Sequence, residues 1–129
     1  MIRVLTISMV ILAAPLLAHH SFAAEYDEKK PVTLKGVVTK VEWANPHARF
    51  YVDVKDAKGN VTNWNLELAS PNVLVRSGWK KNSLQVGDAV EVSGSQAKDG
   101  SNMANARAVT LPDGRKVFAG SSGDGGPQP

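Results

Sequence analysis

A chain of 129 residues with 43% hydrophobic content has material for one domain and one core. Its 15 basic and 12 acidic side chains are interspersed, so the formal net charge of +3 is too weak a field for a polyanion-binding surface, and nucleic acid is not an expected partner. With no cysteine, a disulfide framework and a thiol nucleophile are both excluded.

The chain opens with Arg3 and then runs apolar from Val4 to Ala18, broken only by Thr6 and Ser8. A stable membrane span needs roughly 20 apolar residues. This shorter run reads as a signal peptide over residues 1–18, which directs the protein to the periplasm or outside and leaves no stable membrane span after cleavage. Cleavage after Ala18 is expected, because the apolar run ends there, and it makes His19 the first mature residue. Cleavage after Ala23, with Ser21 and Ala23 as the small pair, is the alternative and would remove His19 and His20.

Residues 19–31 are polar apart from Phe22 and Tyr26 and read as an N-terminal arm, helical or extended, pinned by those aromatics. Val32 and Leu34 then alternate with polar residues until Gly36, after which the apolar parity moves to Val37, Thr39, Val41 and Trp43; a slip at a glycine predicts a β-bulge there. Ala44-Asn45-Pro46-His47 breaks the pattern and predicts a turn with His47 at a hairpin tip. The next strand, residues 49–56, turns Phe50, Val52 and Val54 inward. The turn Lys58-Gly59-Asn60 leads into a third strand, residues 61–68, with Trp64, Leu66 and Leu68 inward.

Ser70-Pro71 is an N-cap followed by a first-turn proline, and Gly78 suits a C-terminal stop, so a short helix is expected over residues 71–77, followed by Trp79 as core filler. A fourth strand over residues 89–93, a polar loop over 94–103, a fifth strand over 104–111 and a last short strand through Val117 and Phe118 complete the pattern. Residues 119–129 form a glycine-rich tail expected to be disordered. Three strands, a helix and two more strands is the order of an all-β OB-fold-like five-stranded Greek-key barrel with one short helix, expected over residues 32–118.

The segments HHSFAAEYD, KPVTLKG, VEWANPHA, SPNVL and ANARAVTLPDGRKVFAGSS resemble a family of small exported bacterial proteins defined as a domain of unknown function. The resemblance implies a periplasmic location and a compact β-domain, and it implies no activity.

Three chemistries are open to such a chain. His19, as a new N-terminus, offers an α-amine and an imidazole that can chelate one metal ion. Adding His20 or His47 gives a nitrogen-only set that suits Cu(II), with tetrahedral zinc as the competitor. Glu25, Asp27 and Glu42 could orient such a site, and Met103 could supply a soft ligand. The metal-independent alternative uses the outward face of strands two and three, where Arg49, Tyr51, Asp53, Asn63, Asn65 and Glu67 alternate with core residues; Arg49, Tyr51, Asn63 and Asn65 there would engage a periplasmic protein, a glycan or another small ligand. Catalysis is not expected: no nucleophile elbow, phosphate loop or triad order is found, and only His47 beside Asp53 or Glu42 could serve acid–base chemistry.

Overall fold

The computed structural model describes Phe22 and residues 24–120. The expected leader, both His19 and His20, and most of the glycine-rich tail lie outside the described residues. The described residues form β1 (Tyr26–Glu42), β2 (Arg49–Lys55), β3 (Val61–Glu67), a helix α1 (Pro71–Arg76), β4 (Ala89–Ala97), β5 (Met103–Thr110) and β6 (Lys116–Phe118), and Phe22, Ala24 and Glu25 ahead of β1 are helical. Neighbours in the sheet follow the order β3-β2-β1-β4-β5-β6, all antiparallel, and a short parallel pairing of β3 with β5 joins the two sides. The hydrogen-bonded strands therefore run in a ring, β1-β2-β3-β5-β4 and back to β1, with β6 appended to β5.

Alternation places one row of side chains inside this ring. Phe50, Val52, Leu66, Val90 and Val92 share a single core with Leu34, Val38 and Val109, and Trp64 and Val54 pack against it half-buried. The segment between β3 and β4 contributes Leu74, Trp79 and Leu84 to the same core. Ser70 caps α1 by accepting from the Val73 N–H, Pro71 occupies its first turn, and Gly78 adopts φ +101° just past its end, so each signal in this segment acts where the sequence places it. The indole of Trp79 is buried, and its Nε1 donates to the Phe118 carbonyl at 2.8 Å, which ties the helical segment to β6.

Several expected boundaries move. β1 starts at Tyr26 rather than at residue 32: Tyr26 pairs with Ala97, and Lys98 N–H donates to the Glu25 carbonyl, so the second half of the expected arm, residues 26–31, is strand, while Phe22, Ala24 and Glu25 are helical. The slip in β1 falls at Thr39, not Gly36. Val37 faces Asp53 and Val38 faces Val52, but Lys40 faces Tyr51, which leaves Thr39 as the extra residue. Inward parity thus runs Val32, Leu34, Gly36, Val38 and only then Val41, and Val37 is 46% exposed.

Gly36 serves a different purpose, since a Cβ there would overlap the Asp53 carbonyl of the adjoining strand. β4 continues past Gly94 to Ala97, and its turn to β5 is correspondingly short; Gly94 marks a register slip within the strand rather than its end. Ala119, expected as the first residue of the tail, is fully buried, and its backbone N–H and carbonyl bond Arg107 and Ala69.

Candidate functional site

The antiparallel register of β2 and β3 sets Arg49 directly opposite Glu67, and the parallel register of β3 and β5 sets Glu67 opposite Asn105. All three lie on the outer face of the ring. Glu67 is nevertheless only 8% exposed, because the N-terminal end of β1 brings Tyr26 over it. The Tyr26 hydroxyl donates to Glu67 Oε2 at 2.6 Å, and Arg49 Nη2 donates to the same oxygen at 2.9 Å. Arg49 Nη1 donates to Asn65 Oδ1 at 3.3 Å.

The other carboxylate oxygen, Oε1, lies 3.6 Å from His47 Nδ1, and that nitrogen is also 3.0 Å from the Leu68 carbonyl oxygen. A carbonyl can only accept, so Nδ1 carries the proton and the lone pair of a neutral His47 ring sits on Nε2. Nε2 has no hydrogen-bond partner among the described residues, and the side chain is 40% exposed. A backbone carbonyl holding one ring nitrogen so that the other is presented outward is the arrangement that orients metal-binding histidines.

Beside this cluster an open cleft of about 390 Å³ is lined by Ala24, Glu25, Tyr26, Arg49, Lys98 and Met103 among others. Met103 therefore shares a cleft with Arg49.

The ligand face expected on β2 and β3 is divided. Arg49 and Asn65 belong to the Glu67 cluster, whereas Asn63 is turned to its own neighbours, donating to Asp53 Oδ1 at 2.9 Å and Thr39 Oγ1 at 3.1 Å. The Tyr51 ring between them carries Lys40 Nζ at 5.3 Å from its centroid, so its face is already covered by a cation. Glu42 pairs with Lys40 rather than with His47. Among the described residues no three His, Asp or Glu side chains gather into a metal-holding group, and His47 is the one member of the expected histidine set that the structure describes.

Sequence reasoning placed Glu67 among the exposed polar residues and missed Tyr26 as its partner. The available signal was the hairpin register, which pairs Arg49 with Glu67 once the turn at Gly59 is fixed.

A family of unknown function, DUF6152, matches residues 7–106. The chain belongs to this family. The DUF6152 match takes in all three histidines together with Tyr26, Arg49 and Glu67, and it ends within β5. A comparison with curated proteins found no match. The chemistry of this DUF6152 chain is therefore argued from its own side chains. Among the described residues no helix is long and apolar enough to cross a membrane.

The network has a titration consequence. Burial, the hydrogen bond to Glu67 and the charge of that carboxylate together raise the Tyr26 phenol well above the usual tyrosine range near 10. Burial is the largest single influence on the Arg49 guanidinium and opposes its charge, but Glu67, Tyr26 and Tyr51 together outweigh it and keep the guanidinium charged.

A phenol whose folded pKa is raised contributes stability that is complete below the unfolded pKa and is lost as pH climbs past it toward the folded value. Unfolding free energy should therefore fall above pH ~10 by up to about 1.4 kcal/mol per pH unit from this group, and Tyr26→Phe should remove that component of the slope. Urea titrations from pH 9 to 11.5 check this. In Tyr51→Phe protein, where Tyr26 is the remaining tyrosine, absorbance at 295 nm should rise only with unfolding.

Proposed function

We propose that this DUF6152 protein is an exported periplasmic binding protein on an OB-fold-like barrel, and that it holds one Cu(II) between a mature N-terminal His19 and His47, with His20 adjacent. The strand ring with a helix between β3 and β4 supports the OB-like reading. The short apolar leader and the resemblance of the HHSFAAEYD segment support export.

The observation that carries the copper reading is the fixed His47 ring, with Nδ1 committed to the Leu68 carbonyl, which leaves the lone pair on Nε2 of a side chain that is 40% exposed. A second feature makes it geometrically economical: Tyr26 and His47 face the two oxygens of one carboxylate, so the N-terminal segment is anchored beside the imidazole. His19 is seven residues upstream of Tyr26, but Phe22, Ala24 and Glu25 in that stretch are helical, so the free reach is that of the three residues before Phe22, roughly 10 Å when extended. The amine and imidazole of His19 with Nε2 of His47 would give the nitrogen set that Cu(II) favours.

Intact mass of the exported protein should show a chain beginning at His19. Copper titration should then show affinity at least about tenfold weaker in His47→Ala and in a version carrying one extra N-terminal residue, each having lost a ligand. Equal affinity in all three, or a mature chain beginning at Ala24, rejects the copper site. The metal-independent reading, a module for a periplasmic protein or glycan, would then stand in its place, and a partner captured in chelator by His47→Ala protein would be its mark.

A further inference from the structure

A second cavity, of about 350 Å³, lies on the outer face of β1, β4 and β5 and is walled by Phe22 and Glu28 of the N-terminal segment; its floor residue Asn105 is the register neighbour of Glu67. Its floor is a row fixed by register: Pro31 opposite Ser95, and Ser95 opposite Asn105, with Ser93 and Arg107 alongside. Asn105 is 4% exposed and its side-chain amide makes no hydrogen bond among the described residues, yet it is not a sealed unpaired group, since Ser101 Oγ is the one such atom among them, so the amide opens onto the cavity. Buried amides are ordinarily satisfied, and an unpaired one facing a polar cavity wants an occupant that supplies both a donor and an acceptor.

The geometry points to a small neutral sugar as that occupant. Adjacent hydroxyls of a sugar ring offer a donor and an acceptor side by side, the pair that a carboxamide bonds with its oxygen and its NH₂. Ser93 and Ser95 add hydroxyls that can donate or accept. Glu28 and Arg107 bring one charge of each sign, so the lining selects for no net charge.

Phe22 supplies an apolar wall for the C–H face of the ring. Its own ring is held by Tyr26 at 5.8 Å between centroids, and Tyr26 is in turn fixed to Glu67. The volume lies within the range of small-molecule sites and suits a mono- or disaccharide. This site does not need copper, but Phe22, like His19, stays in the mature chain only if cleavage falls after Ala18, so a mature chain beginning at Ala24 removes the cavity's apolar wall and overturns the assignment.

The test is a titration of uniformly ¹⁵N-labelled protein, expressed with its own leader and kept in EDTA so that metal plays no part. The probes are glucose, N-acetylglucosamine, maltose and cellobiose, with glycine and inorganic phosphate as comparators. At least one sugar should give saturable shifts centred on the Ser93, Ser95 and Asn105 amides, with half-saturation at or below about 10 mM. The shifts should weaken at least fivefold in Asn105→Leu and in Ser95→Ala. Asn105→Leu should leave the urea midpoint unchanged or raised, because the amide it removes is unpaired in the free protein. If Asn105→Leu fails to fold, Ser95→Ala decides alone. No saturable shift with any sugar up to about 50 mM, or shifts with glycine or phosphate only, overturns the assignment.

Discussion

Arg49→Met should lower the free energy of unfolding by about 3–4 kcal/mol, and Glu67→Gln by only about 1–2 kcal/mol. The asymmetry follows from which group is stranded. Loss of Arg49 leaves an ionised carboxylate, 10% exposed at the side chain, with the Tyr26 hydroxyl as its one remaining close donor and no formal counter-charge unless His47 is protonated. Loss of the Glu67 charge leaves a guanidinium that is 29% exposed and can turn part of its donor fork to water, while Asn65 keeps its bond to Nη1. The double variant should be more stable than the sum of the two losses by at least about 1 kcal/mol, since the charge that Arg49→Met abandons is then gone. Urea unfolding of the four proteins at pH 7 measures the cycle. A Glu67→Gln loss equal to or larger than that of Arg49→Met would show that the carboxylate is held by something other than the guanidinium.

Gly94→Ala should be the most damaging glycine-to-alanine change among the described residues, at about 3 kcal/mol or more and a fall in Tm above about 10 °C. A Cβ at this position would overlap the carbonyl oxygen of Asn105 and crowd its carbonyl carbon and the Ala106 Cα, all backbone atoms of the paired strand. No side chain can rotate away to relieve the contact. β4 slips register against β5 here, so the close approach is part of how the strand bends around the ring. Gly87→Ala is the control: its φ of +95° is costly for alanine, but nothing lies within reach of the added methyl, and the loss should stay near 1 kcal/mol. Calorimetry of both variants separates crowding from backbone strain, and similar losses in the two would mean that β4 relaxes away from β5.

How far the sequence could be read depended on whether the controlling force was local. Alternation gave the inward sets Phe50, Val52 and Leu66, Val90, Val92, and cap chemistry gave α1, because burial parity and turn geometry act over a few neighbouring residues. The bulge was misplaced by three residues because a glycine and a parity change coincided at Gly36. The structure uses that glycine for close strand approach and puts the extra residue at Thr39. β4 was cut short at Ser93 because Gly94-Ser95-Gln96 carries no apolar signal; its strand hydrogen bonds come from β1 and β5, which local pattern cannot reveal.

The same reasoning explains the site. His47, Arg49 and Asn65 were legible as polar residues on a hairpin. The burial of Glu67 is imposed by Tyr26, whose position in space depends on a strand pairing with Ala97.

The closing seam of the ring has a consequence for how the chain finds its structure. β2 and β3 pair through residues as near as Lys55 and Val61, and β4 and β5 through a short turn. The β1–β4 partners Leu34 and Val92 are 58 positions apart, and the three-residue β3–β5 seam joins Asn65 to Met103 across 38. The entropy of closing such loops must be met before their contacts form, so the two local sub-sheets assemble early and the ring shuts late, on the millisecond-to-second timescale of proteins dominated by distant pairings. Until it shuts, β3 and β5 expose unpaired edges, and a chain held in that state is the one most exposed to edge-to-edge association with another copy.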